Sequence, residues 1–230
     1  ADLSSPELIS GNRTLLAYSA GGSRLVLLKD NGEILLELKD TGPIFDAHMS
    51  ADGTVCCLSG GERDKTVLQV YDRRQLNCYT VHSDARYLAR CAVSNGARYV
   101  CAVALEEEDG IFQSVAVIYN TDHETPVAEV SLGNQMIYDV RFWDNNCITL
   151  VGDSSLITLN PAGDMLSQYA YDDLLAYTLY GEDFSAIAVG DENGDNLLTF
   201  DQKGNLLANL PLQSREIRLT AGGKYLALLS

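Results

Sequence analysis

The sequence predicts an all-β chain, a β-propeller of four-stranded antiparallel blades, on three observations. The first is a period. A short turn followed by an apolar segment recurs at Ser10, Ser50, Ser94, Trp143, Gly181 and Thr220, with spacings of 40, 44, 49, 38 and 39 residues. Repeats of this length built from short strands mark propellers. The second is a gapless match between repeats. SADGTVCCL (Ser50–Leu58) aligns with SNGARYVCA (Ser94–Ala102), TAGGKYLAL (Thr220–Leu228) and SGNRTLLAY (Ser10–Tyr18), and IFDAHM (Ile44–Met49) matches IYDVRF (Ile137–Phe142). The third is how third strands end. An aromatic residue or Leu precedes an Asx residue at Tyr71-Asp72, Tyr119-Asn120, Leu159-Asn160 and Phe200-Asp201. An Asx side chain there can accept a backbone N–H two residues on and close a hairpin.

Taken in order, the first repeat supplies strands up to Ile9 and over Thr14–Ser19, Arg24–Leu28 and Ile34–Leu38, with its turn at Lys29–Gly32. The second supplies Pro43–Met49, Thr54–Ser59, Thr66–Tyr71 and Leu76–Val81, each rich in Val, Ile, Leu or Tyr and bounded by turn formers. The third to fifth repeats are equally full. Tyr169–Tyr180 (YAYDDLLAYTLY) could be an amphipathic helix, but the register requires a strand end, a turn at Asp172-Asp173 and a new first strand. The sixth repeat offers only about Arg215–Leu219 and Lys224–Leu229. The expectation is one propeller domain over residues 1–230, with five full blades and a two-stranded sixth. The ring is then incomplete within this sequence. An unpaired second-strand edge is also a route to self-association.

Composition bounds the partners. The 32 acidic and 16 basic residues leave a net charge of −16, which argues against nucleic acid and anionic membrane surfaces. It leaves basic protein partners open. No run of about 18 apolar residues occurs. The chain opens on Ala1, so processing upstream is expected. The six cysteines (Cys56, Cys57, Cys78, Cys91, Cys101, Cys147) show no C-x-x-C spacing, so zinc is not expected. Ala17 and Ala227 occupy the Cys57/Cys101 position, so that site wants a small buried group and mostly reduced thiols. Cys91 and Cys101 are candidate cross-strand neighbours, with free thiols favoured over a disulfide.

Familiar catalytic and metal motifs are missing. His48, His82 and His123 lie in different settings, and no nucleophile elbow, P-loop or H-E-x-x-H occurs. The loop Asp191–Asn196 opens like a calcium loop but has Asn196 where Gly is needed and Gln202 where a bidentate Glu is needed. No cofactor is expected. Two constellations remain. On first strands, which line a propeller's channel, Asp46 and His48 share a face, Asp139 and Arg141 match them, Glu216 and Arg218 do likewise, and Arg90 takes the Asp46 position. These form either a ligand-binding channel mouth or, the favoured reading, paired charges between blades. The loops joining strands two to three and four to one collect acids, with Glu106, Glu107, Glu108, Asp109, Asp191 and Glu192 foremost and Lys39, Arg63 and Lys65 as the few bases. They make a candidate docking face.

In repeat grammar (S-x-D/N-G turns, strand ends in Tyr or Phe then Asx, D-x-x-G hairpins) the chain resembles WD-like and quinoprotein-like propellers. It lacks their diagnostic tryptophans, having only Trp143. It looks most like uncharacterised extracytoplasmic propeller domains of Gram-positive anaerobes. That resemblance implies an outward-facing domain tethered to the cell membrane by a segment absent here, with no known activity. Two functions are carried forward. One is a non-enzymatic interaction scaffold with an unknown protein partner, for which the acidic charge leaves a basic protein open. The other is a hydrolase or lyase at the channel mouth, with Asp46, His48 and Asp139 as acid–base candidates.

Overall fold

A computed structural model describes residues 6–11, 13–192 and 194–229. The chain divides into two compact units, Ala1–Asn134 and Gln135–Ser230. In the first, strands β1 (Pro6–Ser10), β2 (Thr14–Ser19), β3 (Arg24–Lys29) and β4 (Ile34–Lys39) form one antiparallel sheet in sequence order. The next sheet is β5 (Ile44–Met49), β6 (Val55–Ser59), β7 (Thr66–Tyr71) and β8 (Asn77–Ser83). The third is β9 (Tyr87–Val93), β10 (Tyr99–Glu108), β11 (Ile111–Asn120) and β12 (Pro126–Ser131). The second unit holds β13 (Ile137–Trp143), β14 (Cys147–Gly152), β15 (Ser155–Leu159) and β16 (Met165–Ala170). Then follow β17 (Asp173–Thr178), β18 (Phe184–Asp191), β19 (Gly194–Asp201) and β20 (Leu206–Pro211), and last the pair β21 (Arg218–Gly222) and β22 (Tyr225–Leu229). Among the described residues the only helical element is a single 3-10 turn at Asn95–Ala97. Five four-stranded sheets and a two-stranded one are the propeller architecture that the repeats predict.

Burial explains why the strands read as they do. Every residue of β6 and β14 is buried, because an inner strand is covered by sheets on both faces. Such strands become continuous apolar runs. The fourth strands β12 and β16 alternate instead, with one face packed and one wet. The core lies between neighbouring sheets. Leu16, Leu25, Leu27, Ile44, Val55 and Cys57 pack between the first two. Cys56, Leu58, Leu68, Leu88, Cys91 and Val100 pack between the next two. In the second unit Val151, Leu156, Ile187, Leu198 and Phe200 do the same.

The Asx hairpins form as expected. Asn160 Oδ1 accepts the N–H groups of Ala162 and Asp164 at 3.0 and 2.9 Å, and Asp201 Oδ1 those of Lys203 and Asn205, both at 2.8 Å. Gly163 and Gly204 take the left-handed position that follows, at φ 90° and 80°. The sixth sheet departs from the sequence reading. Its first strand begins at Arg218 rather than near Arg215, so Thr220 lies in a strand and not in a turn. The hairpin closes at Gly223 and Lys224, between Gly222 and Tyr225, with Gly223 at φ 56°. Glycine at the first central position of a two-residue turn is the cheaper solution.

Cys91 faces Ala102 and Cys101 faces Ala92, so Cys91 and Cys101 are diagonal neighbours and carry no disulfide. Five of the six thiols are buried and Cys78 is exposed. Rapid labelling of native, reduced protein should therefore count one thiol, with the other five appearing in denaturant. Four or more fast thiols would contradict the packing. A second expectation concerns β22. Tyr225 and Leu229 are 81% and 69% exposed, where the second strands β6 and β14 are wholly buried. Among the described residues β22 pairs with β21 alone, and an exposed apolar strand of this kind invites pairing. Light scattering should show the 230-residue chain associating with rising concentration, and Tyr225→Lys with Leu229→Lys should return it to monomer. A concentration-independent monomer before substitution would count against this.

Candidate functional site

Four of the first strands, β5, β9, β13 and β17, share a local irregularity that sets their polar side chains. In β5 the register with β6 jumps between Ile44 and Asp46, so Phe45 is an extra residue. The same jump makes Tyr138 extra in β13, Leu175 extra in β17 and Ala89 extra in β9. A β-bulge re-aims the residue that follows it. That residue is Asp46, Asp139, Ala176 and Arg90 respectively, so the equivalence of Asp46, Asp139 and Arg90 read from the sequence holds in register.

In the first unit, Asp46 and His48 reach the neighbouring sheet. Asp46 Oδ2 accepts the backbone N–H of Cys91 at 2.8 Å, and Oδ1 accepts the Tyr18 hydroxyl at 3.2 Å. His48 Nδ1 accepts the N–H of Val93 at 3.4 Å, which places its proton on Nε2. The two side chains alternate along β5, and their partners alternate along β9. Burial raises the Asp46 carboxyl from about 3.8 to about 6, against the opposing pull of the Cys91 N–H, the Arg90 charge and the Tyr18 hydroxyl. The Tyr18 hydroxyl is raised in turn, by burial first and by the Asp46 charge second. Arg90 donates to the carbonyl of Ala89 at 2.9 Å.

In the second unit the matching positions do a related job with opposite polarity. Asp139 Oδ1 accepts the adjacent N–H of Val140 at 2.8 Å. Arg141 donates to the carbonyls of Leu179 and Gly181, just past β17, the second at 2.8 Å. Its guanidinium lies 3.9 Å over the Trp143 ring, and burial lowers it to about 10. Trp143 is fixed by an Nε1–H bond to Thr149 Oγ1 at 2.8 Å. Alongside the charge interactions of Asp46 with Arg90 and of Asp139 with Arg141, Asp46, His48 and Arg141 satisfy backbone groups of the next sheet. Glu216 falls outside β21 and is exposed, so it does not alternate with Arg218 on a strand; the later start of that strand is the reason. Arg218 instead lines a groove of about 560 Å³ with Tyr138, Leu174, Tyr177 and Ile217.

The loops are less uniformly acidic than their composition. In the first unit, Arg86 bridges Glu106 at 2.7 Å and Glu129 at 2.8 Å, and His82 Nδ1 lies 2.8 Å from Asp64. In the second, Arg215 binds Asp173 and Asp195. Arg86 and Arg215 each precede a first strand, a recurrence in the sequence that marks them. Glu107 and Asp109 stay exposed at the tip of the β10–β11 hairpin, while the Glu108 side chain and Asn193 lie outside the described residues. Both strands of that hairpin are ten residues long, which carries the tip outward with Ile111 56% and Phe112 69% exposed. Asp191 and Glu192 are exposed at the β18–β19 turn, where Asp191 Oδ1 accepts the N–H of Gly194 at 3.1 Å. Among the described residues no group of three His, Cys, Asp or Glu side chains is placed to hold a metal ion.

Solved structures share this architecture. Hydrazine synthase of Kuenenia stuttgartiensis superposes with a TM-score of 0.67 at 12% identity, covering 99% of this chain and 74% of that one. The WD40 domain of Neurospora crassa Pan2 gives 0.61 at 10% identity, covering 94% and 69%. A protein of unknown function from Bacteroides caccae gives 0.51 at 10% identity, covering 86% and 72%. At these identities the likeness is one of fold, and the class it defines is the β-propeller. The chain belongs to DUF5711, a family of unknown function whose model matches residues 1–225. No curated protein matches the chain in sequence.

The Asp46 site has a pH signature. A carboxyl raised in the folded state takes up protons that the unfolded chain does not hold, so its contribution is fully present below about 3.8 and is lost as pH rises through about 6. The unfolding free energy of the wild type, measured against Asp46→Asn, should be greater at pH 4.5 than at pH 7 by about 2 kcal/mol. The comparison cancels other titrating groups to first order. A difference that is flat between those pH values, or of opposite sign, would show that Asp46 is not the buried titrating group.

Proposed function

We propose that this propeller is a non-enzymatic scaffold that docks a basic protein partner on its acidic loops, foremost the β10–β11 tip. We also propose that it works outside the cytoplasm on a membrane anchor. The observation that carries the scaffold reading is the use made of Asp46 and His48. Of the two residues best suited to acid–base chemistry, His48 is buried and Asp46 half-buried, and both hold backbone N–H groups of β9. A general base must reach the proton it abstracts. The alternative, hydrolase or lyase chemistry at the channel mouth, therefore loses its most suitable groups to structural bonds.

The tip suits a partner with an apolar contact ringed by Lys or Arg. Glu107 lies opposite Phe112 and Glu108 opposite Ile111 in the strand register, so apolar and acidic positions are interleaved. Glu106 is engaged by Arg86 and belongs to the framework. The extracytoplasmic setting and the anchor are both inferred from the resemblance in repeat grammar.

The test uses a probe peptide carrying Leu and Phe between Lys and Arg residues. At low ionic strength, Glu107→Lys with Asp109→Lys should weaken its binding about tenfold or more, and salt should erase the difference. Reversing Asp191 and Glu192 instead asks whether the second unit's turn contributes. Equal affinity of wild type and the Glu107/Asp109 variant at low salt would remove this tip as the docking site.

A further inference from the structure

We propose that Cys56 and Cys91 are the site of a disulfide that joins the second and third sheets under oxidising conditions. Their sulfurs are 3.3 Å apart although the residues lie on different sheets, in β6 and β9. The strand geometry singles out this pair. Successive residues of a strand face opposite sides. Cys57 therefore packs with the core between the first two sheets, and Cys56 with the core between the second and third. Cys91 shares that second core with Val100 and Ala102, while Cys101, between them in β10, faces away. Among the described residues Cys56 and Cys91 are the pair whose sulfurs are in contact.

Both strands are held independently of the sulfurs. His48 pairs with Cys56 across β5 and β6, and Asp46 Oδ2 binds the N–H of Cys91 itself. Bond formation needs the sulfurs to close to about 2.05 Å, a movement that side-chain rotation can supply on fixed strands. The chemistry is thiol–disulfide exchange with glutathione disulfide. One thiolate attacks a glutathione sulfur and releases a glutathione thiolate, leaving a mixed disulfide. The second thiol loses its proton to solvent or to that thiolate and displaces the second glutathione. Two electrons pass to glutathione disulfide, and the two protons end on the glutathione thiols. In the folded protein, burial pushes the Cys91 thiol up, away from the reactive thiolate, and the pair is closed to solvent. The bond therefore forms as the sheets come together during folding. It then resists exchange. This inference does not rest on the docking reading.

The test is to refold the 230-residue chain from urea in a glutathione and glutathione disulfide buffer and trap free thiols by alkylation. Peptide mass spectrometry should find Cys56 linked to Cys91 and four free thiols. Because Cys56 and Cys57 share a tryptic peptide, the link is assigned by repeating the experiment with Cys57→Ala, a substitution that Ala17 shows the site accepts. The oxidised protein should melt roughly 5–10 °C higher than the reduced one, a gain removed by unfolding it in urea with dithiothreitol and refolding it reduced. Cys56→Ala refolded alongside should keep five free thiols. Six free thiols after oxidative refolding, a bridge between any other pair, or a lower melting temperature on oxidation would overturn the proposal.

Discussion

The inner edge of each sheet is the constraint on which these units depend. A first strand pairs with its second strand on one side only, and its other edge presents backbone N–H and C=O groups inside the protein. Leaving one such group buried and unpaired costs about 1–3 kcal/mol. The chain answers with side chains borrowed from the neighbouring sheet. Asp46 and His48 accept from Cys91 and Val93 along β9, and Asp52 extends the series by accepting from Gly96 at 2.8 Å. In the second unit, Arg141 donates to carbonyls just beyond β17. The polarity differs because the orphan groups differ: N–H groups take acceptors, and carbonyls take a guanidinium. Tyr18, in the sheet before, completes a chain of contacts through Asp46 to Cys91 that spans three sheets.

This explains what could be read from the sequence. The strands were legible because doubly covered inner strands such as Val55–Ser59 and Cys147–Gly152 must be apolar throughout, and because Asp72, Asn160 and Asp201 are the residues that close hairpins by side-chain bonds. The equivalence of Asp46, Asp139 and Arg90 was legible from alignment alone. Their purpose was not. A bulge is a relation between two strands, and nothing in IFDAHM marks Phe45 as the extra residue. Charges in alternation suggest pairing with each other, but Asp46, His48 and Arg141 also take backbone groups as partners, which every residue carries and no sequence distinguishes. The sixth sheet was misplaced by three residues for a similar reason. Thr220-Ala221-Gly222-Gly223 aligns with turns in other repeats, but the two-residue turn at Gly223-Lys224 wins locally.

The loops show the same limit. Counting acids against nearby bases predicts a bare acidic face, yet Arg86 and Arg215 reach into it from the starts of first strands. Other acids stay exposed, Asp40, Glu62, Asp84, Asp172, Asp191 and Glu192 among them, but the β10–β11 tip sets Glu107 and Asp109 beside the exposed Ile111 and Phe112, on strands longer than the others of the first unit. A long-range acidic field gives steering toward basic partners, while an apolar centre is what a docked complex buries. The tip holds both on one hairpin.

Asp46 shows why a charge-capable group is kept where burial opposes it. The position must accept twice, from the Tyr18 hydroxyl and from the Cys91 N–H. An ionised carboxylate is acceptor-only on both oxygens, whereas an amide would turn an NH2 group toward one of the two donors. Leu or Val would remove the desolvation cost but orphan the Cys91 N–H at the sheet edge. The carboxylate is thus a compromise, with folded-state ionisation moved up to about 6 as its visible consequence. In an unfamiliar protein, a buried carboxyl with a raised pKa beside a histidine on the same strand invites a catalytic reading. Asp46 Oδ2 and His48 Nδ1 each hold a backbone N–H of the adjoining sheet and Asp46 Oδ1 holds the Tyr18 hydroxyl, so the perturbation arises where the sheets are joined.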